Sequence, residues 1–599
     1  MGGLLNFSEV RVSSQIDKSS ASIKYWLNWL GIAFGCLVTS VTMSAPAAER
    51  VYVTYGILER SVSVSALEEY ARNGTMDENI AVYAQYADPA ELEQVRNVLK
   101  SRADLNPIAL AQFLYSPQGE ELLKRVGQVI QPESRESGQQ FIRAAVLLAS
   151  TDPEGLTVLN FLRKFPSKGL RVNVKQGLGI AATLEKLVNQ TKRATTVIKQ
   201  QSGEEQQADG AIAFGSLEDP RIPGPYFPQK QTITLVDTSR KSVANPPETA
   251  PAQTRPVPTV LDGRVIPVDI YLPERILPEP PGPAPVVVIS HGLGSNRNTF
   301  TYLARHLASH GFAVLVPEHP GSNSKQLEAL VRGIVSEVAE PAEFIDRPLD
   351  ITYLLNEIER QAESDLTLKG RLNLEKVGVI GQSFGGYTAL ALGGAPINIK
   401  QLQSECQDLE NTFNLSLLLQ CRAGALPLGQ FQTALQDNRI KAVIALNPIT
   451  SAVLGQNGLG QIQVPTMIVT GNADTVAPAL LEQIKPFTWL TTPDRYLVMM
   501  DGGTHFSVIG GFDAATSGVS LPVEVVGPNP AIARRYINAL SLAFFKTYIA
   551  GEATYQPYLS AAYSNVLSEP FMPLSLVRRL TAEQLAQAEG GRSQALKAP

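Results

Sequence analysis

A series of short apolar runs, each followed at once by turn residues, constrains this chain more than any other feature of its sequence. They are Val286–Ser290, Phe312–Pro317, Val377–Gly381, Ala442–Leu446, Thr466–Thr470 and Tyr496–Met500. Helical stretches such as Thr299–His310 and Arg347–Ala362 lie between several of them. Continuously apolar strands alternating with helices predict a mainly parallel sheet covered on both faces, an α/β architecture. Two further stretches, Gln231–Asp237 and Ile266–Pro273, alternate in the manner of half-buried strands and are separated by a proline-rich loop.

The rest of the chain reads differently. At 599 residues it is too long for one core. From Glu49 to about Ser202 the spacing is helical. Ser65-x-x-Glu68 forms a capping box, and Asn106-Pro107, Ser116-Pro117 and Asp152-Pro153 each set a capping residue before a first-turn proline. Strand patterns are absent there, so 49–202 is expected to be an all-α domain. The polar stretch Gln200–Gly210 and the Pro/Gly-rich stretch Pro220–Pro228 predict an interdomain linker over 203–228. The sheet domain then covers 229–550, and 551–599 is a C-terminal extension.

The first 48 residues have their own logic. Lys18 and Lys24 precede the apolar run Tyr25–Met43, and Ala45-Pro46-Ala47 follows it, the order of a signal peptide and its cleavage site. A run of about 19 residues can also span a bilayer, so an uncleaved membrane anchor is the alternative. Either way the lysines before the run place the bulk of the chain outside the cytoplasm. In an exported chain the two remaining cysteines, Cys406 and Cys421, are expected to form a disulfide. A net charge of −5 with no basic stripe excludes a nucleic-acid partner.

The chemistry is carried by four segments. Gly381-Gln382-Ser383-Phe384-Gly385 joins a strand to a helical stretch, where a tight turn lifts a serine hydroxyl above the sheet. His291-Gly292-Leu293-Gly294 follows another strand. From it the Leu293 N–H, together with the Phe384 N–H, is expected to form an oxyanion hole. Asp474 stands just past the strand Thr466–Thr470, on the rim that should hold the serine. Its competitors are Asp501, only four residues before the next histidine, and Asp437, which precedes its strand. Of the five histidines only His505 follows both Ser383 and Asp474, giving the order serine, acid, base. His306 and His310 fall on a helix. His291 and His319 are weaker candidates for the substrate pocket. No metal-ligand cluster or nucleotide loop appears, so no cofactor is implied.

The segment from about Gln231 to Ala550 resembles the α/β-hydrolases related to plasma-type platelet-activating-factor acetylhydrolase and dienelactone hydrolase. The resemblance lies in TLVDTSR, IPVDIYLP, SHGLGSNR, EHPGSN, RPLDI, GQSFGG and GGTHFS. It implies the α/β-hydrolase fold, a Ser383–His505–Asp474 triad and the Leu293/Phe384 oxyanion hole. The acetylhydrolases take their acid from the preceding strand end, where this chain has Asn447; Asp474 matches the dienelactone-hydrolase placement. The segment 49–202 is similar to a helical domain of unknown role found before such hydrolases in cyanobacterial proteins.

The expected function is hydrolysis of carboxylic esters, small-molecule or lipid, through an acyl-enzyme. An exported amidase or peptidase, and a binding protein on a hydrolase scaffold, are the alternatives. The insertion at about 396–438, with both cysteines and the run Leu415–Leu419, is expected to be either a lid over the serine or a structural excursion.

Overall fold

The computed structural model describes residues 47–588, apart from 56–57, 85–87, 104–106, 116, 241, 245–258, 262, 275–281, 333, 366, 408, 410–411, 428–433, 511–525 and 528. Residues 1–46, and with them the expected signal peptide or anchor, lie outside the described residues. Among the described residues no helix is long and apolar enough to cross a membrane.

A nine-stranded sheet organises the larger part of the molecule. Its six central strands, Arg495–Met500, Thr466–Gly471, Ile440–Leu446, Leu372–Gln382, Ala284–Ser290 and Ala313–Pro317, run parallel in that spatial order. Arg264–Glu274 and Phe227–Asp237 add antiparallel on one side. The central strands are apolar on both faces because both are covered. One core, with Val288, Val379, Ile468 and Leu354, fills one side, and another, with Ile289, Ile380, Val498 and Phe544, fills the other. This is the α/β-hydrolase arrangement expected from the sequence.

The other edge of that sheet corrects the expected domain boundaries. Leu574–Val577 pairs antiparallel with Arg495–Met500, so residues beyond 550 belong to the sheet and are not an appendage. The predicted linker is also structured. Its first residues complete a helix, Val174–Asp209, which runs out of the N-terminal region and packs Ala194 and Ile198 into the hydrolase core. Glu205, buried, accepts hydrogen bonds from the backbone N–H groups of Arg578 and Arg579 and from Arg578 Nε. Glu and Gln are strong helix formers, so a polar composition that reads as linker instead makes the last turns of a helix with one buried carboxylate. Further along, His306 and His310 bond the carbonyls of Pro220 and Ile222, which pins the Pro/Gly-rich stretch down.

The N-terminal region is not all-α. Arg50–Tyr55, Leu58–Ser63, Ile130–Pro132 and Gly169–Asn173 form a four-stranded sheet beneath its helices. These strands are short and three of the four are far apart in sequence, so their pairing leaves a weak local pattern beside strong helical ones. Helices do begin at Pro107 and Pro117 as expected. The first cap falls on Ser63, whose Oγ accepts from Ala66 N, and not on Ser65. No helix starts at Pro153; Thr157 caps Val158–Lys164 instead.

Candidate functional site

The strand Leu372–Gln382 leads through Ser383 directly into the helix Phe384–Leu392. Ser383 takes φ 57° and ψ −115°, a backbone state that side chains other than glycine rarely adopt and that costs roughly 1–3 kcal/mol. The glycines around it are required by space. A Cβ on Gly381 would lie 1.9 Å from the Gly385 carbonyl oxygen, and one on Gly385 would lie 2.1 Å from that of Ser290. The turn therefore closes only with glycine at both positions, and it holds the serine hydroxyl out at the strand's end.

Two loops from neighbouring strands bring the partners. His505 Nε2 lies 2.9 Å from Ser383 Oγ, and His505 Nδ1 lies 2.7 Å from Asp474 Oδ2. Asp474 is fixed by neutral donors: the N–H groups of Val476 and Ala477 reach Oδ1, and Asn447 Nδ2 donates to Oδ2 at 2.9 Å. All three side chains are buried. The acid and base loops are stitched together by Ala473 N to Gly503 O and Gly502 N to Asn472 Oδ1. Gln382, beside the serine, donates from Nε2 to the carbonyl of His505 at 3.1 Å. A serine, imidazole and carboxylate joined in this way let the ring accept the hydroxyl proton while the carboxylate fixes its tautomer.

Asn447 and Gln382 were not singled out for a role in the sequence. The signal for Asn447 was present, since it occupies the strand end from which the acetylhydrolases draw their acid. Here it is a hydrogen-bond partner of Asp474. Asp501, the nearest competitor, is occupied by Lys199 and Asn472, and Asp437 is paired with Arg439.

The loop after Ala284–Ser290 lies against the elbow. A Cβ on Gly292 would fall 2.2 Å from Gln382 Oε1. The N–H groups of Leu293 and Phe384 donate to no acceptor among the described residues, as an oxyanion hole requires. His291 and His319 do not line a pocket, contrary to the weaker expectation; both are fully buried beneath this loop. His319 Nε2 lies 3.0 Å from Ser290 Oγ and its Nδ1 2.9 Å from Asp350 Oδ2, while its backbone N–H donates to His291 Nε2. Arg347 donates to the His291 carbonyl and to Ser322 Oγ. Burial, then the Arg347 charge, pushes the His319 imidazole down to about 4 and His291 well below its ordinary value. Both rings are structural and neutral.

The insertion carries the disulfide Cys406–Cys421. Its anchors fall on the acid side of the site. Ser416 N donates to Val476 O, and Gln420 Nε2 to the buried Glu482, which also accepts from the N–H groups of Thr450 and Ser451. Arg125 of the N-terminal region donates to the carbonyls of Leu409 and Thr412. These contacts make it a wall beside the acid loop. Among the described residues no group of three or more His, Cys, Asp or Glu is arranged to hold a metal ion.

Comparison with known proteins agrees with this fold. The family described as alpha/beta hydrolase fold matches residues 285–446, and the one described as alpha/beta hydrolase of unknown function (DUF1400) matches 47–173. The second match ends where the long helix begins. Cutinase 2 of Thermobifida cellulosilytica is 21% identical over 281 residues, 46% of this chain and 71% of its own length. The cutinase of Thermobifida fusca (strain YX) is 21% identical over 281 residues, 46% of this chain and 59% of its own length. Platelet-activating factor acetylhydrolase of Cavia porcellus is 22% identical over 308 residues, 50% of this chain and 66% of its own length. Two of these three matches span less than two thirds of the relative.

Proposed function

We infer that this chain, which belongs to the α/β-hydrolases, is a serine hydrolase that cleaves carboxylic esters through an acyl-enzyme. The observation that carries this reading is the continuous Ser383–His505–Asp474 chain, with its serine held at positive φ on the elbow. Ser383 Oγ attacks the ester carbonyl carbon as its proton passes to His505 Nε2. The Leu293 and Phe384 N–H groups receive the oxyanion. The carbonyl–oxygen bond to the leaving group then breaks, and His505 returns the proton to the departing alcohol. Water repeats the sequence on the acyl-enzyme, releasing the acid and restoring the serine. Asp474 orients the ring throughout.

An ester substrate is favoured over an amide because the relatives are named as cutinases and an acetylhydrolase. Action outside the cytoplasm, with the N-terminal segment as signal peptide or anchor, belongs to the same proposal and is supported by the disulfide. Hydrolysis of a chromogenic ester series from acetate to palmitate, with Ser383→Ala as control, tests the reading. A serine-dependent rate peaking at one chain length is expected. Equal rates with and without Ser383 would overturn the assignment, and serine-dependent turnover of amides alone would move it to the amidase class.

A further inference from the structure

A cavity of about 1390 Å³ lies apart from Ser383. It lies between the helix Pro117–Val129, the long helix Val174–Asp209, and the hydrolase segments 412–415 and 472–479. Asp474 borders it; Ser383 and His505 do not.

The long helix lines this cleft from Gln176 to Lys199 at three- and four-residue spacing, a single face about 35 Å long at 1.5 Å per residue. The face changes character along its length. Ile180, Leu184, Leu187 and Val188 come first, followed by Thr191, Lys192, Thr195 and Thr196. Across the cleft stand Val126 and Val129 on one side and Leu415 of the insertion on the other. Leu184, Val188 and Leu415 remain 45%, 42% and 43% exposed, so large aliphatic side chains from two walls face the same space without covering each other. Apolar surface concentrated in this way marks a binding groove.

The polar end is equally specific. Asn472, Asp474 and Thr475 close it on the hydrolase side. Lys199 is paired with Asp501, whereas Lys192 makes no ion pair among the described residues. The apolar stretch from Ile180 to Thr191 runs about 17 Å. One acyl chain in a bilayer leaflet occupies about 15 Å, half of the hydrocarbon thickness.

We propose that this cleft is a binding site for one long-chain fatty acid, with its aliphatic tail between Leu184, Val188 and Leu415 and its carboxylate at Thr191 and Lys192. The site is separate from the nucleophile, and occupancy reaches the reaction only through the Asp474 loop that forms its floor. It does not depend on the ester-hydrolase reading, because binding is measured without turnover.

The test is titration of the full chain carrying Ser383→Ala with palmitate, read by displacement of fluorescent cis-parinaric acid. Saturable binding at one site is expected. Two blocks from opposite walls, Leu184→Trp with Val188→Trp and, separately, Leu415→Trp, should each weaken palmitate by about tenfold. With Ser383 intact, acetate-ester turnover should stay unchanged in both. Lys192→Glu should weaken palmitate by about fivefold while leaving 1-hexadecanol within about twofold. Absence of saturable binding to the folded protein overturns the proposal. So does unchanged affinity in whichever blocked variant retains the parent's thermal unfolding. Loss of acetate turnover in the Ser383→Ala control reports on the hydrolase reading alone.

Discussion

Two Ser–His–Asp chains run through the described residues, and their distances barely differ. Ser383, His505 and Asp474 are joined at 2.9 and 2.7 Å; Ser290, His319 and Asp350 are joined at 3.0 and 2.9 Å. What separates them is where the serine stands and what holds the acid. Ser383 occupies a positive-φ elbow at the start of a helix. Ser290 is the last residue of an ordinary strand, fully buried, with Arg347 Nη2 at 3.4 Å from its oxygen. Asp474 is fixed by two backbone N–H groups and an amide, all neutral, so no cation competes with the imidazolium of the proposed reaction. Asp350 is spent on Arg264, which grips both of its oxygens, and on Arg240. Burial would raise the Asp350 carboxyl, but the Arg264 charge overrides it and holds the group below the usual carboxylate range. An arginine beside the His319 ring opposes a second positive charge there. The lesson is that spacing alone does not define a reactive triad. Presentation of the nucleophile and the electrostatics behind the acid decide.

The contrast predicts its own tests. Ser383→Ala should lower ester turnover on the order of 10⁵-fold with unfolding unchanged, because the hydroxyl is the proposed nucleophile. Ser290→Ala should leave turnover within about threefold and destabilise the fold by about 1–3 kcal/mol, since a buried His319 nitrogen loses its partner. Equal kinetic losses from the two variants would erase the distinction drawn here.

The acids should part in the same way. Asp474→Asn is expected to reduce turnover about 10⁴-fold in a protein of normal urea stability. Asp350→Asn is expected to cost about 3–5 kcal/mol in urea unfolding, because Arg264 keeps its buried charge and loses its closest carboxylate.

Acid should find the buried cluster first. His319 and His306 are each held down to about 4 by burial, against an ordinary 6.5. Folded, they stay neutral where the unfolded chain takes up protons. Their stabilisation is thus complete above pH 6.5 and lost as pH falls through 4, by roughly 3 kcal/mol each. Melting temperature followed from pH 7 to 4 should fall, and His319→Gln should flatten the fall.

The smallest expected effect is at Asn447. Its replacement by Ala removes one hydrogen bond from a neutral amide to the Asp474 carboxylate and should lower turnover about tenfold. A change in urea stability with no kinetic loss would make Asn447 a packing residue only.

How far the sequence carried depended on the range of the interaction. The elbow was legible because strand, tight glycine turn and helix are adjacent in the chain, and Asp474 and His505, the proposed acid and base, were picked out by their places after successive strands. The Ser290–His319–Asp350 chain was not: its members fall in three of the quoted motifs, SHGLGSNR, EHPGSN and RPLDI, but nothing in those segments says that they meet, and they do so only when a loop and a helix cross beneath the Leu293 loop. His291 and His319 were accordingly expected at a pocket. The N-terminal sheet was missed for a related reason: Arg50–Tyr55 pairs with Gly169–Asn173, more than a hundred residues away.

By itself, the sequence determined the parallel sheet, the rim on which chemistry can occur, and the three side chains that meet there. These follow from local periodicity and from turn residues whose backbone demands are intrinsic. Only the tertiary structure decided that residues 174–209 are one helix shared by both regions, that Leu574–Val577 closes the sheet, and that a second Ser–His–Asp chain lies buried against arginines. Each of those depends on burying particular side chains, such as Glu205 against Arg578 and Asp350 against Arg264, between segments that the chain itself keeps far apart.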